Sequence, residues 1–324
     1  MTEIIRFDQL PGSASAGSLD SRLRDGVVSI GNFDGVHIGH GTLLRKVDEL
    51  AKSIDGPSVV IVFDPHPAAI LRPEHIPPRL TWIQRRAELL QRHGIDFLLV
   101  CKTTKELLNL QAEDFFQWLI VDQLGAKGIV EGPNFFFGKG RGGNVDMLRK
   151  LCEQNSIECQ IVEPRGGDGG DMISSTRIRQ SLADGNLDQA NQWLTTPYRI
   201  RGIVTKGDQR GRTIGFPTAN LNQIDVVVPR DGVYGGIVPI DGKPHQAAIH
   251  IGPNPTFSDN QTQKVEVHLL DFDGDLYGQT LLVDFVTRVR DIARFDSVEK
   301  LQEQLDRDIA TIRNRLANFA SKGN

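Results

Sequence analysis

Two histidines three residues apart, His37 and His40, close the segment GNFDGVHIGH that spans residues 31–40. On a helix this spacing puts both imidazoles on one face, and Gly39 between them removes a side chain that would block a close-lying ligand. A strand, a glycine-bearing turn and a helix N-terminus in that order suit the binding of phosphate. When a phosphate oxygen attacks the α-phosphate of a nucleoside triphosphate, no strong base is needed, only positive charge and positioning. His37 and His40 are expected to supply both, with Gly31, Phe33, Asp34 and Gly39 shaping the phosphate loop. The same letters also describe a Gly-rich turn with two satisfied histidines, so the companion segments carry weight.

ISSTRIR, residues 173–179, is a hydroxyl-rich helix start. Ser174, Ser175 and Thr176 suit either a cap or phosphate oxygens, and Arg177 suits a leaving pyrophosphate or plain solvent. In FDPHP, residues 63–67, Phe63 and His66 are expected beside the same site. GPNFFFGKGRGG, residues 132–143, offers aromatic rings that fit a core or a flat heterocycle, and Asn134 is its candidate binding residue.

A second constellation lies downstream in GDQRGRTIGFPTANL, residues 207–221, which lacks the G-x-x-x-x-G-K-[ST] pattern of a P-loop. Thr218 and Asn220 are two apart, on one face of a strand, and offer a hydroxyl and an amide oxygen that suit Mg²⁺. Lys206, Gly207, Arg210 and Arg212 are expected over phosphates. In VEVHLLDFDGDLYG, residues 265–278, strand alternation puts Glu266 and His268 on one face. An alcohol is a weak nucleophile, and Glu266 is the candidate base for it; pairing with Lys264 or solvent is the alternative. DFDGD lacks the remaining ligands of a calcium loop and reads as a hairpin turn.

Two kinds of scaffold must position these residues. From Val27 to about Leu194, the runs VVSI, VVIVF, FLLV, GIV and IECQIV alternate with helical stretches, which predicts a doubly wound α/β unit. From Tyr198 to Val289, IRGIV, VVV, VYGGIV, AAIHI, VEVHLL and LLVDFV predict a small antiparallel barrel. A helix follows Asp296, with Glu299 as in a capping box and Val298, Leu301, Leu305, Ile309, Ile312 and Leu316 at helical spacing. The segment 184–197 reads as helical, SASAGS and GGDGGD as mobile loops, and the domains as 1–186 and 187–324.

The 324 residues exceed one comfortable core, and 39% hydrophobic with 24% charged residues is the composition of a soluble globular protein. The polar N-terminus lacks the pattern of a secretory signal, which makes the expected location cytoplasmic. Three cysteines without a CxxC pair suggest neither disulfides nor a thiolate metal site. A net charge of -4 and no basic patch argue against a nucleic-acid partner, and no apolar run argues for a membrane.

Taken together, GNFDGVHIGH, FDPHP, GPNFFFGKGRGG and ISSTRIR resemble the adenylyltransferase module of the bacterial bifunctional riboflavin kinase/FMN adenylyltransferase (FAD synthetase) family. GDxRGRTIGFPTANL, GVYGG, NPTF and VEVHLLDFDGDLYG resemble its riboflavin kinase module, so the likeness spans nearly the whole chain in the family's order. The resemblance implies a Rossmann-like nucleotidyltransferase domain followed by a kinase barrel with a C-terminal helix. It further implies that riboflavin is phosphorylated to FMN and FMN adenylylated to FAD, with ATP and Mg²⁺ at both sites. His37 and His40 then engage ATP phosphates, Asn134 lies at the FMN/ATP site, ISSTRIR binds nucleotide, Thr218 and Asn220 hold Mg²⁺-ATP and Glu266 is the base. Gly41, His250 and Ile292 replace a frequent Gln, Asn and Glu. A flavin carrier or sensor with one or no active module is the rival reading; it would use the aromatic pocket but neither the histidine pair nor the metal set.

Overall fold

The computed structural model describes residues 1–9, 19–163, 172–207, 214–253 and 263–322. SASAGS, GGDGGD, NPTF, Arg210 and Arg212 lie outside these residues. The chain divides into two compact units: residues 1–78 with 82–173, and 79–81 with 174–324.

The first unit is a six-stranded parallel sheet. Its strands are β1 (Glu3–Phe7), β2 (Val27–Ile30), β3 (Ser58–Asp64), β4 (Phe97–Lys102), β5 (Gly128–Glu131) and β6 (Glu158–Ile161). They lie in the order β1-β4-β3-β2-β5-β6. The central strands read as unbroken apolar runs because both faces are covered. One face packs Val28, Val59, Leu99 and Ile129 against Phe115, Phe116, Leu119 and Leu148. The other packs Val27, Val60, Val62 and Leu98 against Leu44, Val47, Ala87 and Leu90. Helix α1 (Ile38–Ser53) turns Gly41, Leu44, Val47, Leu50 and Ala51 inward at helical spacing. The other helices of this unit are α2 (Ala68–Leu71), α3 (Ile83–Gln91), α4 (Lys105–Leu108), α5 (Ala112–Phe115, continued by a π-helix over 116–123) and α6 (Val145–Gln154). Strand β1 was not expected: its burial is irregular, so no alternation marks it, and pairing along β4 makes it a strand.

From β2 the chain builds outward through β3 and β4, then returns to the other side of β2 for β5. The carboxyl ends of β2 and β5 therefore flank the topological switch point, where open α/β sheets bind ligands.

The second unit opens with α7 (Ser175–Ala183) and α8 (Leu187–Leu194), so the stretch before the barrel is helical as its composition suggested. The barrel strands are β7 (Tyr198–Thr205), β8 (Ala219–Asn222), β9 (Gly232–Ile240), β10 (Lys243–Pro253), β11 (Gln263–Leu269) and β12 (Thr280–Arg290). They close in the order β10-β11-β8-β7-β12-β9, which leaves no free sheet edge. Alternate residues of β7 are buried, the period of a strand with one face inward. The VVV run at 226–228 is not a strand; the short polar ANLN takes that place as β8. Pairing with β7 and β11 satisfies β8's backbone, which propensity alone would not select.

Helix α9 (Val298–Lys322) packs Ile309, Ile312 and Leu316 on Leu270 and Val286. Buried Asp308 binds Arg290 of β12 at 2.7 Å. The helix starts one residue later than expected: the Ser297 hydroxyl accepts from Lys300 N, and Asp296 instead pairs with the Lys300 ammonium.

Candidate functional sites

The phosphate loop of the first unit is tightly built. Phe33 and Val36 hold φ of 45° and 42°, unusual for a bulky and a β-branched residue. The buried side chains around them fix this turn. Phe33 lies in the core with its ring 5.0 Å from that of His40. Asp34 is enclosed and forms an ion pair with the equally enclosed Arg86 of α3 at 3.3 Å. Both side chains are thus buried within the unit behind the loop. Gly31 sits where an added Cβ would meet the Phe33 ring at 2.9 Å. The space at Gly39 is also taken by protein: a Cβ there would stand 3.0 Å from His37 Nδ1 and 3.2 Å from the Ile173 carbonyl oxygen.

His37 occupies the N-cap position of α1 without capping it, and its ring stacks on that of His40 at 3.8 Å. The expected shared face is present, but the expected positive charge is not. Burial pushes His37 down to about 4, although Asp34 pulls it upward. Burial also drives His40 well below its ordinary value, helped by His37, Arg86 and His93. At neutral pH both rings are uncharged. Their Nδ1 atoms are buried without hydrogen-bond partners. The rings can therefore offer N–H donors to a phosphate, whose charge would in turn raise their basicity.

Phe63 is half-buried against Phe115, and His66 Nδ1 accepts from Ala68 N at 3.1 Å, a local cap. Asn134 is exposed. Of the three phenylalanines after it, Phe137 is core, Phe135 stacks on Phe137 at 5.4 Å, and exposed Phe136 lies under Arg141 at 4.4 Å. The run is thus mainly packing. Ser174 accepts from Arg177 N at 3.4 Å and caps α7, whose first residue is Ser175. Thr176 is exposed, and the Arg177 guanidinium lies 5.2 Å from the Trp193 ring centre.

In the barrel, Asn220 on β8 lies directly opposite Glu266 on β11, which lies opposite His250 on β10. Asn220 is buried and its Oδ1 has no hydrogen-bond partner. Gly207 packs on this amide: a Cβ there would fall 2.2 Å from Asn220 Nδ2. Glu266 is held by Lys264 Nζ at 3.0 Å and His250 Nδ1 at 3.5 Å. His250 and then Lys264 keep its carboxyl below the usual range despite partial burial. It is therefore ionised at neutral pH, and the pairing with Lys264 coexists with a place in the polar row. Lys206 is exposed, and Thr218 stands just before β8. Thr218 lines a cavity of about 540 Å³ together with Pro217, Phe272, Asp273, Asp275 and Tyr277. DFDGD is thus more than a hairpin turn, since it forms one wall. Among the described residues no cluster of three or more His, Cys, Asp or Glu side chains could hold a metal ion.

Arg86 and Glu131 are buried charged-type residues outside the motifs. Arg86 falls at the position between Ile83 and Leu90 where helical spacing calls for an apolar side chain, a signal legible in sequence. Glu131 ends the apolar run of β5 and is 3% exposed.

A parallel sheet with a histidine pair at its switch point, joined to a closed barrel with an amide–carboxylate row, defines a two-module enzyme of nucleotide phosphate chemistry. A FAD synthetase family model matches residues 19–177, and a riboflavin kinase family model matches residues 194–316. The chain belongs to the bifunctional riboflavin kinase/FMN adenylyltransferase family and is an enzyme of flavin cofactor biosynthesis. It is 37% identical to the enzyme of that name from Escherichia coli over 288 residues, covering 89% of this chain and 91% of the relative. The Pseudomonas fluorescens relative is 37% identical over 296 residues, covering 91% and 94%. A crystal structure from Streptococcus pneumoniae described as a macrolide-efflux protein matches with a TM-score of 0.84 at 34% identity, covering 96% of this chain and 99% of that one. Among the described residues no helix is long and apolar enough to cross a membrane.

Proposed function

We propose that this chain converts riboflavin to FMN in the barrel and FMN to FAD in the parallel-sheet unit, using ATP in both steps. One observation supports it above the rest: two family models match successive ranges, 19–177 and 194–316, with GNFDGVHIGH, FDPHP and GPNFFFGKGRGG in the first compact unit and PTAN and Glu266 in the second, while ISSTRIR spans the boundary between them. Residues 1–186 are assigned to adenylyl transfer and 187–324 to phosphoryl transfer, a division that falls between the two matched ranges.

In the barrel, the ionised Glu266 orients the ribityl 5′-hydroxyl and takes its proton as the γ-phosphoryl group moves. A weak base suffices because a loose phosphoryl-transfer transition state asks mostly for positioning. Mg²⁺ fits the donors present: Asn220 Oδ1 is a buried oxygen without a partner and Thr218 supplies a hydroxyl. When bound there, the ion neutralises phosphate charge. At the sheet site, His37 and His40 donate N–H groups to the triphosphate at the helix N-terminus, while an FMN phosphate oxygen attacks the α-phosphate and pyrophosphate leaves. Asn134 is assigned to the flavin side, and both reactions to the cytoplasm.

The test is chromatography of products after purified protein is incubated with riboflavin, ATP and Mg²⁺. FMN and FAD should both appear, and absence of both would overturn the reading. Glu266→Ala should stop FMN formation while FAD is still made from added FMN; His37→Ala with His40→Ala should do the reverse. A Glu266 variant that makes FMN at the wild-type rate would remove the base assignment.

A further inference from the structure

Strands β2 and β5 pair only at Val27 with Gly128 and Val28 with Ile129. Beyond that point β5 continues along β6 as far as Glu131 with Ile161, and Val162 N donates to the Glu131 carbonyl. On the other side of β2, Gly31 N donates to the Ile61 carbonyl of β3. The backbone of Ile30 therefore faces a gap in the ladder at the start of the phosphate loop. The Glu131 side chain fills it: Ile30 N donates to Glu131 Oε1 at 2.5 Å. The carboxyl is a substitute for a missing strand carbonyl, which lets the two strands part without stranding a buried N–H.

We propose that Glu131 is a positioning residue of the adenylyl-transfer site, tying the loop after β2 to the loop after β5 so that the phosphate side and the flavin side keep one register. The geometry gives it that reach. Ile30 directly precedes the GNFDGVHIGH segment, and Glu131 directly precedes GPNFFFGKGRGG with Asn134.

The group acts as a neutral carboxylic acid. Burial pushes the Glu131 carboxyl well above the ordinary range, and its hydrogen bond from Ile30 N offsets only part of this. Ser29 Oγ is enclosed beside it and lacks a hydrogen bond of good geometry. A protonated Glu131 can accept from Ile30 with one oxygen and donate to Ser29 with the other. It is therefore distinct from a general base, which would have to be ionised.

The inference rests on the reading of the sheet unit as the FMN-adenylylating module. The test uses the full chain, with FMN, ATP and Mg²⁺ for adenylyl transfer and riboflavin phosphorylation as an internal control. Glu131→Leu keeps bulk but offers Ile30 no acceptor. A misplaced loop can lower rates about 100-fold. We expect kcat/KM for FAD formation to fall by about that factor, with KM raised for both FMN and ATP and FMN formation unchanged. Glu131→Gln, an isostere of the neutral acid, should restore activity to within about threefold and leave the pH profile unmoved. Wild-type kinetics in the Leu variant, or a loss of kcat with both KM values unchanged, would overturn the proposal. So would a Gln variant as impaired as the Leu variant, which would make the ionised carboxylate the working group. If the Leu variant does not fold, the Gln variant alone decides: rescue with an unmoved profile supports the assignment and loss overturns it. Failure of the wild type to make FAD from FMN would instead sink the parent reading, and this proposal with it.

Discussion

The charge state of His37 yields a quantitative prediction. Free imidazole protonates near 6.5, whereas burial among the loop side chains holds His37 at about 4. As pH falls through this window the unfolded chain binds a proton that the folded chain refuses. Stability that is complete above 6.5 is therefore lost progressively toward 4. The whole gap corresponds to about 3 kcal/mol, of which about 2 kcal/mol is lost by a pH of about 5. Glu131 has the opposite sign, because its folded-state value is raised: its contribution is full at low pH and lost as pH rises. A variant comparison cancels that term and most of the His40 term. Trp82 and Trp118 belong to the first unit and Trp193 to the second, so Trp193→Phe makes tryptophan fluorescence report the first unit alone. In that background, urea unfolding of His37→Gln against its parent should shift by about 2 kcal/mol in the variant's favour between pH values of about 7.5 and 5. A difference that stays flat across this range would refute a buried, neutral His37.

Other consequences follow from buried contacts. Arg86→Leu removes the buried cation paired with the enclosed Asp34 carboxylate and should destabilise the first unit by about 3–5 kcal/mol in the same urea assay; Arg86→Lys, which keeps the charge but not the planar fork, should lose less. Gly207→Ala puts a methyl group against the Asn220 amide, so the KM for Mg²⁺-ATP in riboflavin phosphorylation should rise about tenfold while FAD synthesis from FMN is unchanged. Equal KM values would show that the amide moves aside at no expense to the site.

Much of the molecule was legible before any coordinate. Apolar runs bounded by turns mark β2 to β5, because a parallel sheet covered on both faces requires such runs. The 3-4 spacing of Ile309, Ile312 and Leu316 gives the face of α9. The placement of His37 after a strand and at a helix start follows from local sequence alone, as does the two-residue offset of Glu266 and His268 on β11. These are short-range consequences of helix and strand periods. Elements whose pattern is irregular were not legible in this way: β1 and β8 become strands only through their neighbours, and VVV fails to become one despite its propensity.

Charge and partnership belong to the other category. Two histidines in a sequence suggest cations, yet burial makes them neutral, and Asp34 turns inward to Arg86 on a helix about fifty residues away. Asn220, Glu266 and His250 come from separate strands, and only barrel closure sets them in one row. Glu131 and Ile30 stand 101 residues apart, and the parting of β2 from β5 gives that carboxyl its role. Sequence determined which groups are available and which face of their element they occupy, since those follow from local geometry. Tertiary structure decided their protonation and their partners, since both depend on desolvation and on chain segments brought together from far apart.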